Sequence, residues 1–197
     1  NSATQGASQG KKDFCLVYSG LMGWHPNNDA ALYFLRKIFP LVKQRMASEG
    51  DEPAPVRFMI VGKDPSPAVT ALAQKDPAVI VTGFVEDVRP LVEQADVVVV
   101  PLRIGSGTRL KILEAMAMGR PVVSTSIGCE GLDVTDGEHL FIADNPDVFS
   151  ERVVRLLRDP VLRERMSQAG RRLVEEKYDW KKIEESLAGR VTRPQGE

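Results

Sequence analysis

Residues 105–119 read GSGTRLKILEAMAMG, and three charged side chains in that run are able to do chemistry. Arg109 and Lys111 stand in what reads as the first turn of a helix, and Glu114 follows three residues after Lys111. Cations at that place oppose the positive end of the helix dipole, so they call for a compensating anion. The turn ahead of them offers a place for one: backbone N–H groups from Gly105, Ser106, Gly107 and Thr108 are expected to point out of the helix N-terminus and form a ready anion site. With a diphosphate bound there, both cations become favourable, and Arg109 can grip phosphate oxygens with two N–H groups at once. Glu114, on nearly the same helix face as Lys111, can accept hydrogen bonds from sugar hydroxyls. The competing reading is structural: a surface pair of Lys111 with Glu114, and Arg109 in solvent. The local sequence does not separate the two.

The elements that must hold these residues are legible as apolar, β-branched runs: FCLVYS (14–19), VRFMIVG (56–62), AVIVTGF (78–84), ADVVVVPL (95–102), RPVVSTS (120–126) and HLFIAD (139–144). They are continuous rather than alternating, as in strands of a parallel sheet buried on both faces. Helical spacing links Leu32, Leu35, Ile38, Phe39 and Val42 from Asn28 to about Met46, with Pro40 expected to kink or interrupt the helix. A short helix is expected over 67–75, another over 88–95 capped by Asp87, and a long one from Asp159-Pro160 to about Lys177. Strands alternating with helices predict an α/β class: a Rossmann-like parallel sheet with helices on both faces. Ligands of such sheets bind outside the carboxyl ends of the strands. The quoted turn lies there, after the run ADVVVVPL.

Composition removes several function classes. With 26 Lys and Arg against 27 Asp and Glu, the net charge of −1 gives no general attraction to nucleic acid or anionic membranes, so any anion site must be local. Cys15 and Cys129 lack metal-ligand spacing, and only His25 and His139 could join them, which points to free thiols and no metal. Residues 1–12, opening NSATQGASQG, read as a linker, 13–188 as one Rossmann-like domain, and 189–197 as a flexible tail.

The segment PLRIGSGTRLKILEAMAMGRPVVSTSIGCEGL (101–132) resembles the nucleotide-sugar-binding, carboxyl-terminal half of retaining GT-B glycosyltransferases, the large group that builds bacterial polysaccharides and glycolipids. VYSGLMGWHPNNDAALYFL (17–35), VRFMIVG, VTGFVEDVRPLVEQADVVVVPL (81–102) and the stretch from DNPDVFSERVVRLLRDP to VEEKYDW follow that family's order and spacing, so the likeness covers roughly 14–185. It implies a domain that holds a UDP- or GDP-sugar donor opposite an amino-terminal domain that holds a glycan or lipid-linked acceptor. It also implies transfer without metal or cofactor, and a cytoplasmic setting, with the inner membrane surface open to a full-length form. By the same resemblance, Arg109 and Lys111 stabilise the departing diphosphate, Glu114 binds the ribose, and the loop Gly83-Phe84-Val85 sits against the nucleobase. Gly20, Gly105, Ser106, Gly107, Thr108 and Leu110 complete the implied donor site.

Two departures from the family stand out. Two glutamates separated by seven intervening residues are common there, whereas Ser106 stands in the first of those positions ahead of Glu114. Many members also carry Arg directly after the first-loop glycine; here Leu21 follows Gly20, and no Lys or Arg occurs until Arg36. The first loop therefore supplies no phosphate-binding cation, and that work falls on Arg109 and Lys111. Two alternatives accompany the transferase reading: a nucleotide-sugar 2-epimerase of the same architecture, and a non-catalytic donor-binding module. Trp24 is read as packing on a neighbouring loop, Asn27 or Asn28 as a helix cap, His25 as exposed, His139 as structural and Cys129 as buried. Glu130 and Gly131 are candidates for lining the cleft. Leu162, Met166, Ala169 and Leu173 are expected to face inward from the long helix, with Tyr178 and Trp180 anchoring the turn after it.

Overall fold

In a computed structural model the described residues are 13–48, 54–105 and 109–178. Six strands form one sheet: β1 (Phe14–Ser19), β2 (Val56–Val61), β3 (Val79–Val81), β4 (Val97–Val100), β5 (Val122–Ser124) and β6 (Phe141–Ile142). Every strand coincides with one of the apolar runs. All pairings are parallel, and the order is β3-β2-β1-β4-β5-β6, with Leu16 opposite Val97 where the two halves of the sheet meet. β1 and β4 are fully buried along their central residues, as continuous apolar strands between two helical layers must be.

Helices fill the crossovers: α1 (His25–Tyr33), α2 (Phe39–Ser48), α3 (Pro67–Lys75), α4 (Arg89–Val92), α5 (Leu110–Ala117), α6 (Pro146–Arg158) and α7 (Pro160–Lys177). Three of them start with a side-chain cap followed by proline. Ser66 accepts from Val69 N–H, Asn145 from Asp147 N–H and Asp159 from Leu162 N–H, each ahead of a Pro whose missing N–H costs nothing in the first turn. Between α1 and α2 the chain stays helical through a π turn, Phe34–Ile38, in which Phe39 N–H reaches Phe34 C=O. The wider turn takes up the disruption expected from Pro40, which has no N–H to give. It also places Phe34 and Phe39 in an aromatic cluster with Phe58 and Phe149, the Phe34 and Phe58 ring centres being 4.4 Å apart.

Several boundaries differ from the sequence reading. α1 begins at His25 with Trp24 at its N-cap, so neither Asn27 nor Asn28 is the cap. α4 is a single turn, although Asp87 does accept from Arg89 N–H at 3.0 Å. α5 starts at Leu110, with Arg109 in the capping position rather than inside the helix. α6 had no counterpart in the spacing argument. In α7, Leu162, Met166 and Leu173 are buried and Ala169 is half-buried; Tyr178 Oη then accepts from Asp133 N–H at 2.7 Å. Trp180 lies outside the described residues.

Candidate functional site

β1 and β4 are neighbours whose crossovers run in opposite directions, toward β2 and toward β5, so a crevice opens where their carboxyl ends diverge. A cleft of about 380 Å³ occupies that place, with Gly20, Gly62, Phe84, Val85, Lys111 and Glu114 in its wall. Two glycines make room for it. A Cβ on Gly62 would fall 1.8 Å from Gly20 C=O, and one on Gly20 would stand 2.8 Å from Asn27 Nδ2 and 3.0 Å from Lys111 Nζ. The loops after β1 and β2 therefore cross at a spacing that side chains forbid.

Lys111 projects from the first turn of α5 across the end of β1. Its ammonium donates to Asn27 Oδ1 at 2.8 Å, lies 3.5 Å from Tyr18 Oη and sits 4.6 Å from the centre of the Tyr18 ring. Burial, and next the Arg109 charge, bring its pKa down to about 8, while Glu114 acts in the opposite direction. Tyr18 is wholly buried, and desolvation holds its phenol protonated well above the ordinary range. The surface pair of Lys111 with Glu114 is thus set aside, because the ammonium turns to Asn27.

Arg109 goes elsewhere. Its side chain is only 6% exposed, donates to Glu130 Oε2 at 3.1 Å and reaches Gly105 C=O at 3.4 Å, and its Nε has no partner among the described residues. The solvent placement of Arg109 is therefore wrong: the N-cap backbone sends the guanidinium toward the loop after β5, and Arg109 is not among the residues in the cleft wall that Lys111 joins. Glu114 is exposed at the rim, shared between the cleft and an adjoining hollow of about 420 Å³ that includes Arg89 and Met118. Phe84, 74% exposed, presents its ring at the mouth beside Val85. Leu110 faces solvent rather than the cleft. Gly105 lies against Pro26 and Trp24. Ser106, Gly107 and Thr108 are outside the described residues.

Trp24 is half-exposed, with its ring edge near Gly105, and His25 is exposed. His139 Nδ1 accepts from Thr135 N–H, a turn-holding role. Cys129 and Cys15 are buried thiols with pKa values raised by desolvation, unlike a nucleophile's. Sequence reasoning missed Tyr18 and Asn27 as site residues, having read one as strand core and the other as a cap. It also missed a clamp: Arg103 binds Asp29 through two hydrogen bonds of 3.0 and 2.6 Å and stacks on Tyr33, tying the loop after β4 to α1. No spacing signal marked these residues: α1 buries Asn27 together with Pro26, Ala30 and Ala31, and Asp29, two residues on, points to a different face.

The family model described as Glycosyl transferases group 1 matches residues 13–159, more than half of the chain. The chain belongs to that family. Among curated relatives of this glycosyl transferases group 1 chain, the phosphatidyl-myo-inositol mannosyltransferase of Mycobacterium leprae is 37% identical over 91 residues, 45% of this chain and 24% of that protein. The match thus spans about a quarter of that relative's length. Among solved structures, Staphylococcus aureus TarM in complex with fondaparinux, α-GlcNAc-glycerol and UDP superposes with a TM-score of 0.72 at 20% identity, over 91% of this chain and 35% of TarM. The carboxyl-terminal domain of the group 1 glycosyl transferase LpcC of Francisella tularensis gives 0.65 at 20% identity, over 85% of this chain and 87% of that one. At such identities the superpositions establish a shared fold, the Rossmann-like half of GT-B glycosyltransferases. Among the described residues no helix is long and apolar enough to cross a membrane.

Proposed function

We propose that this chain is the donor-binding domain of a glycosyltransferase, taking a UDP- or GDP-sugar and delivering the sugar to a glycan or lipid-linked acceptor held by a second domain. The observation that carries this reading is the Lys111 ammonium, held at the start of α5 and facing the crevice between β1 and β4. A diphosphate in that crevice meets a positive charge and the α5 N-terminus together, both aimed at oxygens that gain charge as the glycosidic bond to the nucleotide breaks. Lys111 is the cation this reading assigns to the leaving diphosphate. Arg109 supports the same pole from behind, through its charge and its hold on Gly105. Glu114 at the rim accepts from the ribose hydroxyls, and the Phe84-Val85 loop covers the base.

Family membership supports the reaction class, and the UDP in the TarM structure is in keeping with the ligand class. The proposal assigns no metal and no cofactor, with the nucleotide sugar as substrate, and retention of anomeric configuration is part of it. The test is calorimetric titration of the chain with UDP, GDP, uridine and guanosine. Tighter binding of either diphosphate than of its nucleoside is expected, without sugar transfer by this chain by itself. Equal binding of diphosphate and nucleoside, or of neither, would remove the phosphate assignment.

A further inference from the structure

Many relatives by resemblance carry an Arg directly after the first-loop glycine, where Leu21 stands here, and the first turn of α1 that follows places a neutral amide. Asn27 is 5% exposed and makes three hydrogen bonds. Its Oδ1 accepts from Tyr18 Oη–H at 3.0 Å and from the Lys111 ammonium at 2.8 Å, and its Nδ2 donates to Leu21 C=O at 3.0 Å. It therefore joins the end of β1, the loop that follows and the ammonium from α5 at one buried point. Gly20 leaves the space that this junction fills.

We propose that Asn27 is a positioning residue for Lys111, a neutral tether that fixes the ammonium in the cleft without cancelling its charge. The proposal rests on the reading that Lys111 meets the diphosphate. A lysine stem loses considerable rotamer freedom when its head is fixed, so a tether already in place lowers the ordering cost of ligand binding. An aspartate at the same position would hold the head equally well, yet it would pair with the ammonium and leave little net charge for a phosphate. It would also lose the donor that Leu21 C=O needs. Both functions require an amide of this length. Tyr18 completes the seat, its ring under the ammonium and its hydroxyl beside it.

The charged and titratable groups around Lys111 are few. Tyr18 faces it from β1, Arg109 and Glu114 belong to its own segment, and Lys63 from the loop after β2 shares the cleft wall. With the neutral Asn27 in place, the ammonium sits near the edge of its titration at a pKa of about 8.

The test compares Asn27→Asp and Asn27→Ser with the wild-type chain, using UDP and GDP against uridine and guanosine, with thermal melts to verify folding. For Asn27→Asp the expected result is about a tenfold loss of diphosphate affinity, nucleoside affinity unchanged, and the alkaline fall in UDP binding displaced to higher pH by the new carboxylate. A side chain that merely fills space would not move that alkaline limb. Asn27→Ser, the variant to rely on if the aspartate does not fold, is expected to lose about fivefold in UDP affinity, and nothing further when Lys111→Met is already present. An Asn27→Asp chain that binds UDP as the wild type does, or Asn27→Ser and Lys111→Met losses that multiply, would overturn the tether. If Lys111→Met itself leaves UDP binding intact, the diphosphate reading fails and the tether with it. If only the Asn27 variants are silent, the tether alone fails.

Discussion

Arg109 and Lys111 are two residues apart, carry the same charge and stand at the same end of one helix, yet they serve opposite sides of it. Lys111 crosses toward β1 and into the cleft, where Asn27 and Tyr18 receive it; Arg109 turns toward the loop after β5, where Glu130 and Gly105 receive it. The division follows from backbone position. Lys111 is inside the first helical turn, and Arg109 is the N-cap, whose non-helical backbone aims its side chain independently. A cluster of charges in a sequence therefore does not report which of its members face a cleft.

The strongest way to break this division is to exchange the weights of the two cations. Lys111→Met is expected to weaken UDP or GDP by about ten- to hundredfold while leaving the nucleoside unaffected, the loss of one charge-assisted hydrogen bond to the diphosphate. Arg109→Met should cost less than about fivefold in the same titration, its effect being mainly a loss of roughly 1–2 kcal/mol in folding stability from the ungripped Gly105 loop. A larger ligand effect for Arg109→Met than for Lys111→Met, by calorimetry, would reverse the assignment.

pH sharpens the same contrast, because folding and binding respond to Lys111 with opposite signs. The folded chain releases the Lys111 proton near pH 8, the unfolded chain near 10.5. Between those values the unfolded state holds more protons, so Lys111 makes stability rise with pH across that window and penalises it below pH 8. Diphosphate binding needs the charged form, so affinity should be flat just below pH 8 and fall toward tenfold per pH unit above it. In Lys111→Met both trends should vanish, as denaturant melts and titrations at pH 7 to 10 would report.

Glu114 yields a smaller effect. Glu114→Gln should weaken UDP by about three- to tenfold, and a 2′-deoxy nucleotide should lose little more on the mutant, because the shared contact is already impaired. Additive losses would return Glu114 to a surface role. Smallest of all is Glu130→Gln: the exposed carboxylate should contribute less than about 1 kcal/mol to stability and nothing to nucleotide affinity, read by melts and titrations.

The sheet was legible because its strands are buried on both faces, so each is an uninterrupted apolar run such as VVVV in β4. α7 was legible through its Asp159-Pro160 start. α6 was not, although Asn145 and Pro146 carry the same cap signal, because its helical periodicity follows directly on the last strand run. The π turn before Pro40 was hidden as well: a proline announces a missing hydrogen bond and leaves open how the helix accommodates it. At the site, charge type and the α5 location were readable, and Gly20, Phe84 and Val85, named only through the family resemblance, lie in the cleft wall. Direction was not. Asn27 lies two residues into α1, where cap statistics favour a terminal role, and only the strand order brings it to Lys111 across 84 positions of sequence.

The measurement that bears most directly on the account is a backbone-amide NMR titration of the chain with UDP and GDP, each set against its nucleoside. The account predicts that the diphosphate adds perturbations at Gly20, Gly62, Lys63 and Lys111 to those the nucleoside produces near Phe84, Val85 and Glu114. Perturbations centred on Arg109, Glu130 and Gly131 with Gly20 and Lys111 silent would contradict it.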